Sequence, residues 1–151
     1  MKLYGAIASP YVAVSNYAIN LRNPKFANVE FRSAVLHALD ARSLVRDVFG
    51  PTVGIANGVI PETVSGHAPT PCADLCDHDV TEAKAALARA FPNGGEPSIA
   101  IDYDATPAQH TLAAKVVTQL AAVGITATPR PHDPAAYDDF LANETPDLFR
   151  L

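Results

Sequence analysis

The chain has 151 residues, of which 48% are hydrophobic and 18% charged, a composition typical of a globular domain and unlike that of a disordered or fibrous chain. A net charge of −5 gives no basic surface for a phosphate backbone, and 7% aromatic residues without tryptophan give no stacking platform for bases, so nucleic acid is excluded as a partner. No apolar run reaches the roughly 18 residues needed to span a bilayer.

The front part of the chain predicts one strand and then two helices. Val12–Leu21 is rich in β-branched and aromatic residues and predicts a strand. Asn28 is placed to cap a helix over Val29–His37, and Asp40 to cap a second helix over Ala41–Phe49. Glycine and proline follow directly and end the second helix.

Residues 50–78 show no helical or strand period, so the sequence predicts a long irregular loop. Loops of this length are uncommon in compact domains, and those that occur are often functional. Two interpretations remain open at this point. The loop either forms an interaction surface or is a packed excursion held by Val59, Ile60 and Val64.

Local signals are clearer in the back part. Asp79 and Glu82 form a D-x-x-E capping box for a helix reaching Ala90. Its spacing predicts an inward face of Val80, Ala83, Leu87 and Phe91.

A β-α-β unit follows. Ser98–Tyr103 alternates as a strand, and Thr106 with Gln109 forms a second capping box for a helix running to Val123. Ile125–Thr128 is the returning strand, which we expect to be parallel to the first.

The end of the chain predicts one more helix and one more strand. Asp133 and Pro134 open a short helix to Ala142, and Asp147–Leu151 supplies the strand. The fold class is therefore α/β, with helices flanking the sheet and a β-α-β unit in the C-terminal half.

Five strings in this order resemble one known family. They are Tyr17-Ala-Ile-Asn20 followed by Pro24-Lys-Phe26, VEFRSAVLHALDARSLVRDVFG, the small residues and proline Ala56, Gly58, Pro61 and Gly66, HDVTEAKAALARAFPNGG, and KVVTQLAAVGITATPRP. The chain resembles the second (C-terminal) ligand-binding lobe of the peptide/nickel-type extracytoplasmic solute-binding proteins of ABC importers, family 5. The second string carries the family's V-R-x-A-x-x-x-A-x-D-x-x-x-x-V pattern at Arg32, Ala34, Ala38, Asp40 and Val45.

This resemblance implies a periplasmic-binding-protein-like lobe with a mixed sheet, and a function in transport. The protein would capture an oligopeptide, dipeptide or similar small solute and deliver it to a membrane permease. Residues 1–151 would form a single partial domain, with the first lobe of the same receptor missing from this chain. The implied location is the periplasm or the cell surface, although we see no signal segment in this sequence.

Candidate ligand-binding residues follow the first strand of the β-α-β unit. Ligands of open α/β folds bind at the carboxyl ends of strands, which here places Tyr103, Asp104, Ala105 and Thr106 at the site. The helix that starts after this segment favours an electronegative ligand group at its N-terminus, whereas Asp104 favours an amine. For Thr106, simple capping of the helix is the favoured alternative.

We expect neither a cofactor nor a metal. Cys72 and Cys76, with His78 nearby, lack the second ligand pair of a structural zinc site. In the oxidising compartment that the resemblance implies, the two cysteines could instead form a local disulfide, which the sequence leaves open. His37 lies within a helix and is predicted to be a packed or surface residue.

No catalytic motif is present, so we predict a protein that is not an enzyme. Two alternatives remain. A small hydrolase-like α/β enzyme would use Asp102, Asp104 and His110, and shifted ionisation of such groups in one closed pocket would favour it. An interaction module would use the 50–78 loop, and an exposed apolar patch there would favour that function.

Overall fold

The structure is a computed structural model that describes residues 2–3, 17–51, 53, 65, 77–95 and 97–151. Within them five strands and five helices alternate irregularly along the chain. The strands are β1 (Lys2–Leu3), β2 (Tyr17–Ile19), β3 (Ser98–Asp104), β4 (Thr126–His132) and β5 (Leu148–Arg150). The helices are α1 (Val29–Ala38), α2 (Ala41–Phe49), α3 (Val80–Ala90), α4 (Pro107–Ala122) and α5 (Tyr137–Asn143), with a 3-10 turn at Pro24–Phe26.

The strands form one mixed sheet in the order β1-β2-β5-β3-β4. β3 is parallel to both of its neighbours, β4 and β5, while β2 is antiparallel to β5 and to β1. The register sets Ile101 beside Leu148 and Asp104 beside His132. This sheet with flanking helices confirms the predicted fold class, including the parallel β3-α4-β4 unit.

The core lies on one face of the sheet. Ile99, Ile101 and Tyr103 point to the same side of β3 because alternate residues share a face, and all three are buried. They pack in one cluster with residues of α1 and α4, of which Val35 and Val116 are almost fully buried. This burial anchors β3 against α1 and α4.

The helix caps predicted in the front part are confirmed. Asn28 accepts a hydrogen bond from the Glu30 N–H at 2.8 Å and begins α1, and Asp40 accepts one from the Ser43 N–H at 3.0 Å and begins α2. His37 is buried, which agrees with a packed rather than a catalytic role. No helix in the described ranges is long and apolar enough to cross a membrane.

The capping box of α3 is only half formed. The Asp79 carboxylate accepts the N–H groups of Thr81 and Glu82, as predicted. Glu82 does not complete the box, because the Asp79 N–H donates to the His37 carbonyl while the Glu82 carboxylate pairs with Arg89 at 2.5 Å. The inward assignment of Val80 was also wrong, since this residue is 37% exposed at the start of the helix.

Strand and helix limits differ from the prediction at the C-terminal end. β4 continues to His132, well beyond the predicted Thr128, although it contains two prolines. Its position at the side of the described sheet explains this, because proline is tolerated where an N–H is not needed for pairing. The last helix begins only at Tyr137, after a turn in which the Asp133 carboxylate accepts the Ala135 N–H.

Other predictions fall outside the described residues. They concern residues 12–16 of the first strand, most of the 50–78 loop, and both Cys72 and Cys76. The described part of the predicted first strand is β2, and Leu21 lies beyond it in an exposed turn.

Candidate functional site

Three parallel strands end at one side of the sheet, which we call the carboxyl edge. β3 ends at Asp104, β4 at His132 and β5 at Arg150. Because the three strands run in the same direction, their last side chains and the loops that follow are brought together. The predicted site residues belong to this edge.

The segment after β3 is held by its own backbone and by β4. The Ala105 N–H donates to the His132 carbonyl at 2.8 Å, and the Thr106 N–H donates to the Asp104 carbonyl at 2.7 Å. Tyr103 and Asp104 are buried, while Ala105 and Thr106 are partly exposed. The segment therefore presents an ordered stretch of backbone to solvent at the start of α4.

Thr106 does not act as the sequence predicts. It occupies the N-cap position with extended backbone angles, but its side chain makes no capping hydrogen bond. Pro107 follows at the first helical position, where its missing N–H has no cost. The amino end of α4 is thus not closed by the Thr106 hydroxyl, and the preference for simple capping was wrong.

Asp104 is paired with a residue that the sequence did not single out. The Asp104 carboxylate oxygen Oδ1 lies 3.1 Å from Arg150 Nη1, and Asp104 is only 9% exposed. Arg150 reaches this position because β5 lies beside β3 in the sheet. No local pattern signals the pairing, since the two residues are far apart in the sequence.

A second acidic residue, Asp102, is fully buried beside the edge. His132 Nε2 lies 2.8 Å from its Oδ1, and the imidazole ring stacks on Phe140 of α5 with ring centroids 3.9 Å apart. The Tyr137 hydroxyl donates to the carbonyls of Asp102 and Arg150, at 2.8 and 3.0 Å. α5 is thereby fixed to the ends of β3 and β5.

Buried tyrosines surround these charges. Burial raises the pKa of Tyr17, Tyr103 and Tyr137 above the ordinary value for tyrosine, which further favours the protonated hydroxyl. Tyr17 comes from β2, where its register partner is Arg150. Within the described residues, Tyr17 Oη and Asp102 Oδ2 are buried without a hydrogen bond, so two polar atoms near this edge lack a partner.

The three residues of the enzyme alternative are not assembled into one group. Asp102 pairs with His132, and Asp104 pairs with Arg150. His110 is exposed, and its Nδ1 lies 3.1 Å from the Tyr103 hydroxyl. His110 therefore pairs with neither aspartate, and the imidazole–carboxylate pair that a general base would need is not present at this residue.

Metal-binding residues are not grouped in the part of the chain that is described. Among those residues no set of three His, Cys, Asp or Glu side chains could hold a metal ion. Cys72 and Cys76, for which the sequence left a disulfide open, lie outside that part.

Comparison with known proteins identifies the family. The profile of the bacterial extracellular solute-binding proteins, family 5, middle region, matches residues 2–151. The chain therefore belongs to family 5 of the bacterial extracellular solute-binding proteins, as the five sequence strings indicated. No curated protein matches.

Solved structures show the same fold at low identity. The ABC transporter substrate-binding protein CtaP of Listeria monocytogenes aligns with a TM-score of 0.80 and 17% identity, covering 100% of this chain and 30% of that protein. The oligopeptide-binding protein AppA of Bacillus subtilis, solved with a nonapeptide, aligns with a TM-score of 0.79 and 17% identity, covering 100% of this chain and 32% of that protein.

A third structure contains a different bound solute. The binding protein AgaA of Agrobacterium tumefaciens, in complex with agropinic acid, has a TM-score of 0.73 and 22% identity, covering 100% of this chain and 29% of that protein. The chain thus spans about 30% of the length of the structures it resembles.

Proposed function

We propose that the chain is part of the second lobe of a substrate-binding protein that captures peptides or a similar small solute for an ABC importer. The observation that carries this proposal is the carboxyl edge, where Tyr103–Thr106 form an ordered, partly exposed segment at the ends of three parallel strands. Open α/β folds bind ligands at such edges. Several proteins with this fold are named as peptide-binding proteins or were solved with a bound peptide.

The proposal includes the rest of the receptor. Residues 1–151 form a single partial domain, and a first lobe supplies the opposite wall of the cleft. The solute would be trapped when the two lobes close, outside the cytoplasmic membrane, and passed to a permease. The family consists of extracellular solute-binding proteins, which supports this location.

Within the segment we assign different roles to side chains and backbone. Asp104 is the anionic group for a ligand amine, and binding would weaken or replace its contact with Arg150. Ala105 and Thr106, whose own N–H groups are bonded to the carbonyls of His132 and Asp104, are the partly exposed residues that border the ligand at the amino end of α4. Tyr103 is buried, and we assign it to the inner side of the site.

This arrangement supports recognition without catalysis. The histidines nearest the segment are His110, which lies against Tyr103, and His132, which lies against Asp102. Neither is paired with Asp104, the residue assigned to the ligand. The role of the site is then to hold a solute and release it unchanged.

Substitution of Asp104 in the complete receptor tests the assignment. Asp104→Asn keeps the size of the side chain and removes its charge, so we expect at least a tenfold loss of affinity for a pool of tripeptides and tetrapeptides, measured by calorimetry. Asp138→Asn is the matched control, because Asp138 is an exposed aspartate on α5 and should leave affinity unchanged. Equal affinities of the Asp104 variant and the unaltered protein would contradict the assigned role.

A further inference from the structure

The outer side of β4 is the feature that carries a further inference. β4 is the last strand of the described sheet, with β3 on one side of it and no described strand on the other. Residues 128–131 of this strand are exposed. An exposed strand side with free N–H and C=O groups is normally a template for pairing with another chain.

The register fixes which residues of β4 point outward. The Thr126 N–H donates to the Pro97 carbonyl at 2.9 Å, and the His132 carbonyl accepts the Ala105 N–H at 2.8 Å. Both residues therefore direct their backbone groups toward β3. In a parallel ladder the N–H and C=O of one residue point to the same side, and successive residues point to opposite sides. The backbone groups of positions 127, 129 and 131 therefore point outward, away from β3.

Two of these three outward positions are proline. Pro129 and Pro131 have no N–H, so the outer side of β4 retains carbonyl acceptors but has lost two of its donors. Their placement costs the sheet nothing, because the positions that bond to β3 are Thr126, Thr128, Arg130 and His132. Prolines at both intervening positions leave only Ala127 as an outward donor within the strand.

We propose that Pro129 and Pro131 close the outer side of β4 to strand addition. A second copy of this chain, an extended peptide or another strand of a larger protein cannot continue the sheet there. For a protein that handles extended peptides this would prevent unselective capture along a sheet side. This role of the two prolines depends on the backbone register of β4 and is independent of the proposed function.

Restoring the missing donors tests the proposal. The double variant P129T/P131T supplies two N–H groups at the outward positions, and threonine favours strands. P134T is the matched control, since Pro134 is an exposed proline in the turn after β4 and lies outside the ladder. Sedimentation velocity from micromolar to millimolar concentration would compare the two variants with the unaltered chain. Amide exchange would follow positions 127, 129 and 131.

We expect the double variant to associate at concentrations at least tenfold below any association of the unaltered chain or P134T, with new protection of amides 129 and 131 in the associated form. Far-ultraviolet circular dichroism would confirm folding, and the single variants P129T and P131T would serve if the double variant did not fold. Concentration-dependent protection of the Ala127 amide in the unaltered chain would overturn the proposal. A folded double variant that stayed monomeric, with amides 129 and 131 unprotected, would overturn it too.

Discussion

Asp147 shows how one side chain joins segments that are distant in the sequence. Its carboxylate accepts the Asn23 side-chain N–H at 2.6 Å and the buried Ala100 N–H at 2.9 Å, and it pairs with the Lys25 ammonium. The residue is only 7% exposed. It thus connects the start of β5 with β3 and with the 3-10 turn that precedes α1.

Removing this carboxylate should destabilise the fold strongly. Asp147→Ala leaves the Ala100 N–H buried without a partner and breaks two other polar contacts, so we expect a loss of about 3 kcal/mol in the free energy of unfolding. Urea denaturation at neutral pH measures it. Lys25→Met is the control, because Lys25 is partly exposed and its loss should cost less than about 1 kcal/mol. Equal losses in both variants would contradict the role of Asp147.

At the scale of elements, the amino ends of α3 and α4 differ although both sequences contain a capping box. The Glu82 and Thr81 N–H groups donate to the Asp79 carboxylate and hold its pKa below the ordinary value. Thr106 makes no such bond at the start of α4. The same sequence signal therefore has different structural consequences at the two helices.

This difference predicts a pH dependence for α3. Because the pKa of Asp79 is lowered by folding, its stabilising effect is present above the pKa of the unfolded state and is lost as pH falls through the folded-state value. Asp79→Ala should lower the thermal midpoint at neutral pH, and this difference from the unaltered chain should shrink in acid. Thr106→Ala should have a smaller effect with no such trend. A constant difference for Asp79→Ala across pH would contradict the assignment.

The attachment of α5 gives another prediction. Tyr137→Phe deprives the carbonyls of Asp102 and Arg150 of their shared donor, so we expect a loss of about 1–3 kcal/mol and faster amide exchange in α5. Tyr103→Phe is the control, since that hydroxyl lies against the exposed His110 and should matter less. Unchanged exchange in α5 would show that another contact holds the helix.

At the scale of the whole molecule, the sequence predicted the helices and strands that local signals determine. Caps and hydrophobic periods lie within a few residues of the elements they define, which is why α1, α2, α3 and the parallel β3-α4-β4 unit could be predicted. The order of these elements predicted the α/β class, and the family resemblance added the mixed sheet of a periplasmic-binding-protein-like lobe. The predicted segment 103–106 lies at the carboxyl edge for the same reason, since it directly follows β3.

The partners of these residues could not be predicted. Arg150 meets Asp104 only because β5 inserts between β2 and β3, and His132 meets Asp102 only because β4 extends past the predicted end. Such contacts depend on strand order and register, which periodicity along one segment does not specify. The length of β4 was missed because proline normally ends a strand, and its tolerance depends on a position at the side of the sheet.

Calorimetry on the isolated chain and on the complete receptor most directly tests whether this lobe provides one wall of a shared cleft. Binding sites for small ligands enclose most of the ligand surface, which a single edge cannot do. Titrated with the same pool of tripeptides and tetrapeptides, the complete receptor should bind tightly and return the peptides unchanged, while residues 1–151 alone should bind at least a hundredfold more weakly. Equal affinity of the isolated chain, or cleavage of the peptides by either protein, would contradict the account.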